Sequence, residues 1–217
     1  MKKIISLLAT LTLVFALTSC GGSELDEFID IFENSEPTII TTYTTQEYDF
    51  VTLESSQITT VYGKDFKIEY TRQSLQIPGP GMNEDEYRKT DSGEIFYHNG
   101  QLSDDGGETW TTPMTDPKTE LIKFNLDAAD IDEYELSDGD KKLSAVLTAE
   151  QAAALLGIEI TANEDGVSLT IEHDGANLRK INITYVTEDE TTVTIMTSYT
   201  YDAVKSPFET EEEPSQE

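Results

Sequence analysis

Cysteine occurs once in this chain, at Cys20, and histidine twice, at His98 and His173. A solitary thiol excludes an intramolecular disulfide and any Cys-rich metal site. Neither histidine stands in a His-Glu-x-x-His pattern, and no Gly-rich loop leads from a strand into a helix to cradle a phosphate. No Ser sits in a Gly-x-Ser-x-Gly elbow. The expectation is therefore no metal, no cofactor and no enzyme. Basic residues are scarce as well: 14 Lys and Arg stand against 43 Asp and Glu, for a net charge of −29. Such a surface repels nucleic acid and anionic lipid heads, which excludes nucleic acid as a partner. The carboxylates are scattered, so solubility explains them better than an acidic site does. Pairs such as Asp104/Asp105 arise freely at this density. Asp138-Gly139-Asp140 lacks the ligand series of a calcium loop.

A long apolar run is lacking too. Ile4 to Leu17 is broken by Ser6, Thr10 and Thr12 and falls short of the roughly 20 apolar residues of a spanning helix. Behind Met1-Lys2-Lys3 it has the form of an export signal. The signal closes on Leu17-Thr18-Ser19-Cys20-Gly21, which resembles the bacterial lipobox. That resemblance implies cleavage before Cys20 and a diacylglyceryl group on its thiol. The expected organisation is a lipoprotein signal peptide over 1–19, a lipidated tether over 20–22, one domain over 23–204 and a disordered acidic tail over 205–217. The membrane is then a partner through the lipid alone. The location is the outer face of the cytoplasmic membrane, or the outer membrane in a Gram-negative host. Cutting away Lys2 and Lys3 leaves the mature chain two charges more negative still.

What is present in quantity is strand texture. A helix opens the domain: Ser23 caps it, and Leu25, Phe28, Ile29 and Phe32 form one apolar stripe. Its neighbours are acidic, so the stripe is expected to pack as a lid on its own domain rather than lie on a membrane. Asn34-Ser35-Glu36-Pro37 ends it. From Thr38 the chain turns rich in Thr, Tyr, Ile and Val. Thr38 to Leu53 reads as one long strand, followed by Ile58 to Tyr62 and Phe66 to Ile77 around a turn at Gly63-Lys64-Asp65. Residues 86–112 read as short hairpin strands about His98-Asn99-Gly100 and Asp105-Gly106-Gly107. A hairpin about Ser137-Asp138-Gly139-Asp140 follows. Thr148-Ala149-Glu150-Gln151 is a capping box that starts a short helix, and Gly157 stands at its C-cap. The last third is a meander, with Val167, Leu169 and Ile171 on one face, then Ile181, Ile183 and Tyr185, then Val193, Ile195, Tyr199 and Tyr201. The fold class is α+β: a mostly antiparallel curved sheet of about ten strands, an N-terminal helix and one short internal helix.

The sharpest local motif is Ser103-Asp104-Asp105-Gly106-Gly107-Glu108-Thr109-Trp110. Ser103, Asp105, Gly107, Thr109 and Trp110 resemble the Asp-box of sialidases and related propellers. In those folds the box recurs once per blade and closes turns away from the active site. Here it occurs once, and Arg72, Arg88 and Arg179 lie in unrelated contexts. A structural hairpin is the expected role. The order of elements as a whole resembles the LolA/LolB and LppX/LprG group of lipoprotein-handling proteins. That resemblance implies a half-open antiparallel barrel closed by helices around a cavity for acyl chains.

Three functions remain in play. The first is a binding or carrier module for an apolar or lipid ligand, acting as a monomer. The second is an envelope interaction protein whose Tyr- and Thr-rich strands contact glycan or protein. The third is a glycoside hydrolase built on the Asp-box. A dry pocket favours the first, a filled core with exposed aromatics the second, and convergent carboxylates or arginines in a cleft the third.

Overall fold

The computed structural model describes residues 28–31, 33–49, 51–76, 88–113, 124, 131 and 133–208. Among them lie ten strands and one complete helix. The strands are β1 (Ile39–Glu47), β2 (Thr52–Tyr62), β3 (Asp65–Leu75), β4 (Arg88–His98), β5 (Gln101–Ser103), β6 (Glu135–Ser137), β7 (Lys142–Leu147), β8 (Val167–His173), β9 (Leu178–Val186) and β10 (Thr192–Thr200). The helix, α1 (Ala149–Leu156), lies between β7 and β8. All ten strands form one antiparallel sheet in the order β5-β4-β3-β2-β1-β10-β9-β8-β7-β6. The sheet is thus two sequential meanders sealed by β1 and β10, which pair from Ile39↔Thr200 to Glu47↔Thr192. It is open and curved, with β5 and β6 at its edges.

Strand alternation decides which face is dry. In β8, Val167, Leu169 and Ile171 are buried while Ser168 is exposed. Because residues paired across a ladder share a face, the register extends this dry face from Leu143 through Ile171 and Ile181 to Thr197. Helix α1 lies on it with Ala152, Leu155 and Leu156. Its start is the expected capping box: Thr148 accepts from the Gln151 amide, and the Gln151 side chain accepts from the Thr148 amide. Gly157 ends it at φ 66°, a conformation that favours glycine. Phe28, Phe124, Ile131 and Ile160 complete this core.

The N-terminal segment is helical at 28–31 and 33–34. Phe28 is 3 % exposed and meets the His173 ring edge-on at 4.5 Å. Ile29 is half-buried against the same core. Leu25 and Phe32 lie outside the described residues. Past the helical end, Ser35 Oγ accepts from the Leu178 amide at 3.1 Å, which ties the segment to the start of β9.

The structure departs from expectation in three places. The single strand over Thr38 to Leu53 is a hairpin: β1 stops at Glu47, Tyr48 N donates to Val51 O at 2.9 Å, and β2 begins at Thr52. That turn holds no Gly, Pro or Asn, and Tyr48 and Val51 have strand propensity, so the break was disguised. Residues 54–57, which lie between the expected strands Thr38 to Leu53 and Ile58 to Tyr62, are paired on the β1 side throughout. Finally, the short strands expected over 86–112 include one of 11 residues, β4, which turns at Asn99 (φ 50°) and Gly100 (φ 82°) into β5.

Four residues at the start of the expected tail lie among the described ones. Residues 205–208 are described, and Phe208 stacks on His98 with centroids 4.5 Å apart and planes at 11°. The tail from 209, residues 1–27 with Cys20, and most of 114–132 lie outside the described residues.

Candidate functional site

The face that carries the core, called inner below, does not stay apolar across the sheet. The row that begins Leu143, Ile171, Ile181 continues through Thr197, Thr42, Gln57 and Tyr70 to Gly93. Thr42 and Thr197 are both buried and satisfy each other, hydroxyl to hydroxyl, at 3.0 Å. A second inner row, toward the other end of the strands, is different: Tyr199, Ile40, Thr59, Ile68 and Ile95. A third holds Val61, Phe66, Tyr97 and Leu102. Phe66 is 1 % exposed and stacks on Tyr97 at 4.8 Å. Ile68, Ile95 and Tyr97 are half-buried.

The wing formed by β2 to β5 therefore has a graded inner face. One end is an aliphatic and aromatic strip. The other end is polar, and Arg72 crowns it. The Arg72 guanidinium lies 4.9 Å from the Tyr70 ring centre. Tyr70 in turn lies over Gly93 so closely that a Cβ there would stand 2.7 Å from its hydroxyl. Glycine at 93 is what lets the phenol lie flat across the neighbouring strand. No local motif announces this stack, because its members are brought together by the β3–β4 register alone.

The residues of the Asp-box-like segment form a closed loop beyond β5. Asp105 accepts from the Ser103 hydroxyl at 2.7 Å, from the Thr109 amide at 2.9 Å and from the Thr109 hydroxyl. Ser103 Oγ accepts from Gly107 N at 2.8 Å, and the Trp110 indole donates to Gly107 O at 3.0 Å. Bonds from the Thr109 side chain and amide, and then from Ser103, hold the Asp105 carboxyl at about 2. Its acceptor capacity is spent on its own loop. Asp174 is also held at about 2, by the Ala176 and Asn177 amides and then Arg179. Both carboxylates close turns.

Both histidines are committed in the same way. His173 Nε2 lies 3.0 Å from Asp140 O, and its Nδ1 accepts from Gly175 N at 3.0 Å. His98 Nδ1 lies 3.0 Å from Asp65 Oδ2. Phe208 covers the ring, and Tyr62 and Phe96 meet Phe208 edge-on at 5.9 and 6.1 Å. Among the described residues no group of three or more His, Cys, Asp or Glu is placed to hold a metal ion. No described helix is long and apolar enough to cross a membrane.

These features define a class: an open antiparallel sheet with a filled core at one half and a graded, half-buried face at the other. No family model matches the chain, and no curated protein matches it. Among solved structures it is similar to the LolA superfamily protein NE2245 from Nitrosomonas europaea, at 9% identity over 85% of this chain and 96% of that one, with a TM-score of 0.32. It is also similar to an N-terminal dehydratase from the difficidin assembly line, at 8% identity over 82% and 83% of the two chains, with a TM-score of 0.15. Neither fold nor function is carried over from either structure.

Proposed function

We propose that this chain is a lipid-anchored envelope protein, held through Cys20, that binds an amphiphilic ligand on the inner face of its β2–β5 wing. The observation that carries the reading is the grading of that face. The strip of Ile68, Ile95 and Tyr97 suits an acyl chain, since burying apolar area contributes about 25 cal/mol per Å². The polar end, with Tyr70 under Arg72, suits a head group. Arg72 is one of three arginines in a strongly acidic chain, so its placement there favours a head that accepts hydrogen bonds. Asp105 and Asp174 are spent on turns, and neither is part of this ligand site.

The test is uptake of an environment-sensitive fluorescent fatty acid by the unlipidated chain from residue 21. Ile95→Glu should weaken uptake at least tenfold, and Arg72→Ala should weaken it less, with melting retained in both. No uptake by the wild type, or uptake indifferent to both changes, would reject the reading. Metabolic labelling with a fatty acid tests the anchor separately: labelling of Cys20→Ala equal to wild type would remove it.

A further inference from the structure

The outer face of the same strands carries a trough. On that face Tyr43, Ser56, Thr71 and Ser92 form one cross-strand row over β1, β2, β3 and β4. The rows beside it have longer side chains: Ile58, Glu69 and Glu94 on one flank, Glu54 and Gln73 on the other. Over β2 to β4 the short side chains of Ser56, Thr71 and Ser92 lie between these longer ones and leave a channel across the strands, open toward Thr90 on β4 and closed on β1 by Tyr43, which stands between Thr41 and Thr45. Two shallow, open depressions of about 280 and 330 Å³ occupy it and share Ser56 and Thr71 in their walls. Same-face rows are about 7 Å apart and strands about 4.8 Å apart, so the channel is roughly 14 Å between its flanking rows and roughly 10 Å long from β2 to β4. Tyr43, 45% exposed, stands at one end.

Its direction selects the occupant. An extended peptide gains affinity at a sheet through main-chain hydrogen bonds along a strand edge. A chain lying across the strands can make none of those. It meets hydroxyls at strand spacing, which pair with a partner that carries hydroxyls of its own. The charge of the rim narrows the choice. Glu54, Glu69 and Glu94 are exposed. Lys67 is bound to Glu69 at 3.2 Å and to Glu94 at 3.0 Å, whereas Glu54 has no ion pair among the described residues. Phosphate, sulfate and uronate polymers are repelled by this rim and by the net charge of −29. Protonated amines are attracted.

We propose that the outer trough binds a short linear glycan bearing free amines, of the hexosamine type. Tyr43 stacks against one ring, the Ser56, Thr71 and Ser92 hydroxyls bond the sugar hydroxyls, and Glu54 pairs with an amine. This site is on the opposite face from the amphiphile strip and independent of it.

The experiment titrates the mature chain with a glucosamine trimer, its N-acetylated form and a galacturonate trimer, followed by amide chemical shifts. The glucosamine trimer should bind most tightly and move the amides around Ser56 and Thr71. The N-acetylated trimer should bind more weakly and the galacturonate trimer not at all. Thr71→Tyr, which fills the trough without changing charge, should weaken glucosamine binding at least tenfold while Ile95→Glu on the inner face leaves it unchanged. Absence of binding to the wild type overturns the proposal. So does equal affinity in Thr71→Tyr, which marks attraction to a generally acidic surface. Loss of fatty-acid uptake together with intact glycan binding would reject the inner site alone.

Discussion

Asp105 shows how much a single exposed side chain organises. Three donors converge on its carboxylate, and they hold it at about 2 against an ordinary 3.8. Between those values the folded chain keeps the group ionised while the unfolded chain protonates it. The stability it contributes is therefore complete above about pH 4 and is lost as the pH falls through about 2. Asp105→Asn should lower the melting temperature at neutral pH and flatten its fall between pH 4 and pH 2. Thermal melts of both proteins across that range check it. Parallel curves would mean that the carboxylate charge does not close the loop. The bonds on Asp105 come from residues within four positions of it, so they belong to a local segment. The Tyr70–Gly93 contact was not legible in the sequence, because only the register brings residues so far apart in the chain together.

Helix α1 has eight residues, too few to persist alone in water. Its stability must come from the face it buries, where Ala152 and Leu155 are fully covered. Leu155→Ala should therefore cost about 2–5 kcal/mol, and loss of the cap in Thr148→Ala only about 1 kcal/mol. Denaturant unfolding of the two variants decides, and a larger loss from the cap would contradict this account. Both ends of α1 could be read from the chain because cap chemistry is written within a few residues. The β8–β10 meander was equally legible, since its alternation is regular and one face is dry. The β1–β2 hairpin was hidden because its turn is built from Tyr48, Asp49 and Val51 rather than from glycine or proline. The docking of Phe208 was also hidden: its partners Tyr62, Phe96 and His98 come from two strands more than a hundred residues earlier.

At the scale of the whole molecule the sheet is continuous but its energetics are not. The half made of β7 to β10 packs Leu143, Leu169, Ile171, Ile181 and Ile183, all at most 1 % exposed, under α1. The wing holds fewer buried anchors, chiefly Leu53 and Phe66. Its inner face fades into Thr, Gln and Tyr. Strand β4 is exposed along most of its length, and β5 pairs with it only at residues 96–98. Backbone bonds with little apolar cover open locally at low free energy, whereas those in a dense core open only with the whole domain. Native-state hydrogen exchange should therefore be slowest at Leu169, Ile171, Ile181 and Ile183. It should be orders of magnitude faster over residues 88–95, with β2 and β3 between. Uniform protection from β2 to β9 would show one cooperative unit and defeat the argument. The distinction bears on function, because the proposed amphiphile strip lies in the half that opens. A ligand that binds there and not to the unfolded chain stabilises that half by mass action. Saturating fatty acid should slow exchange in β3 and β4 and leave β8 and β9 unchanged. Equal slowing in both halves would place the ligand on the core instead.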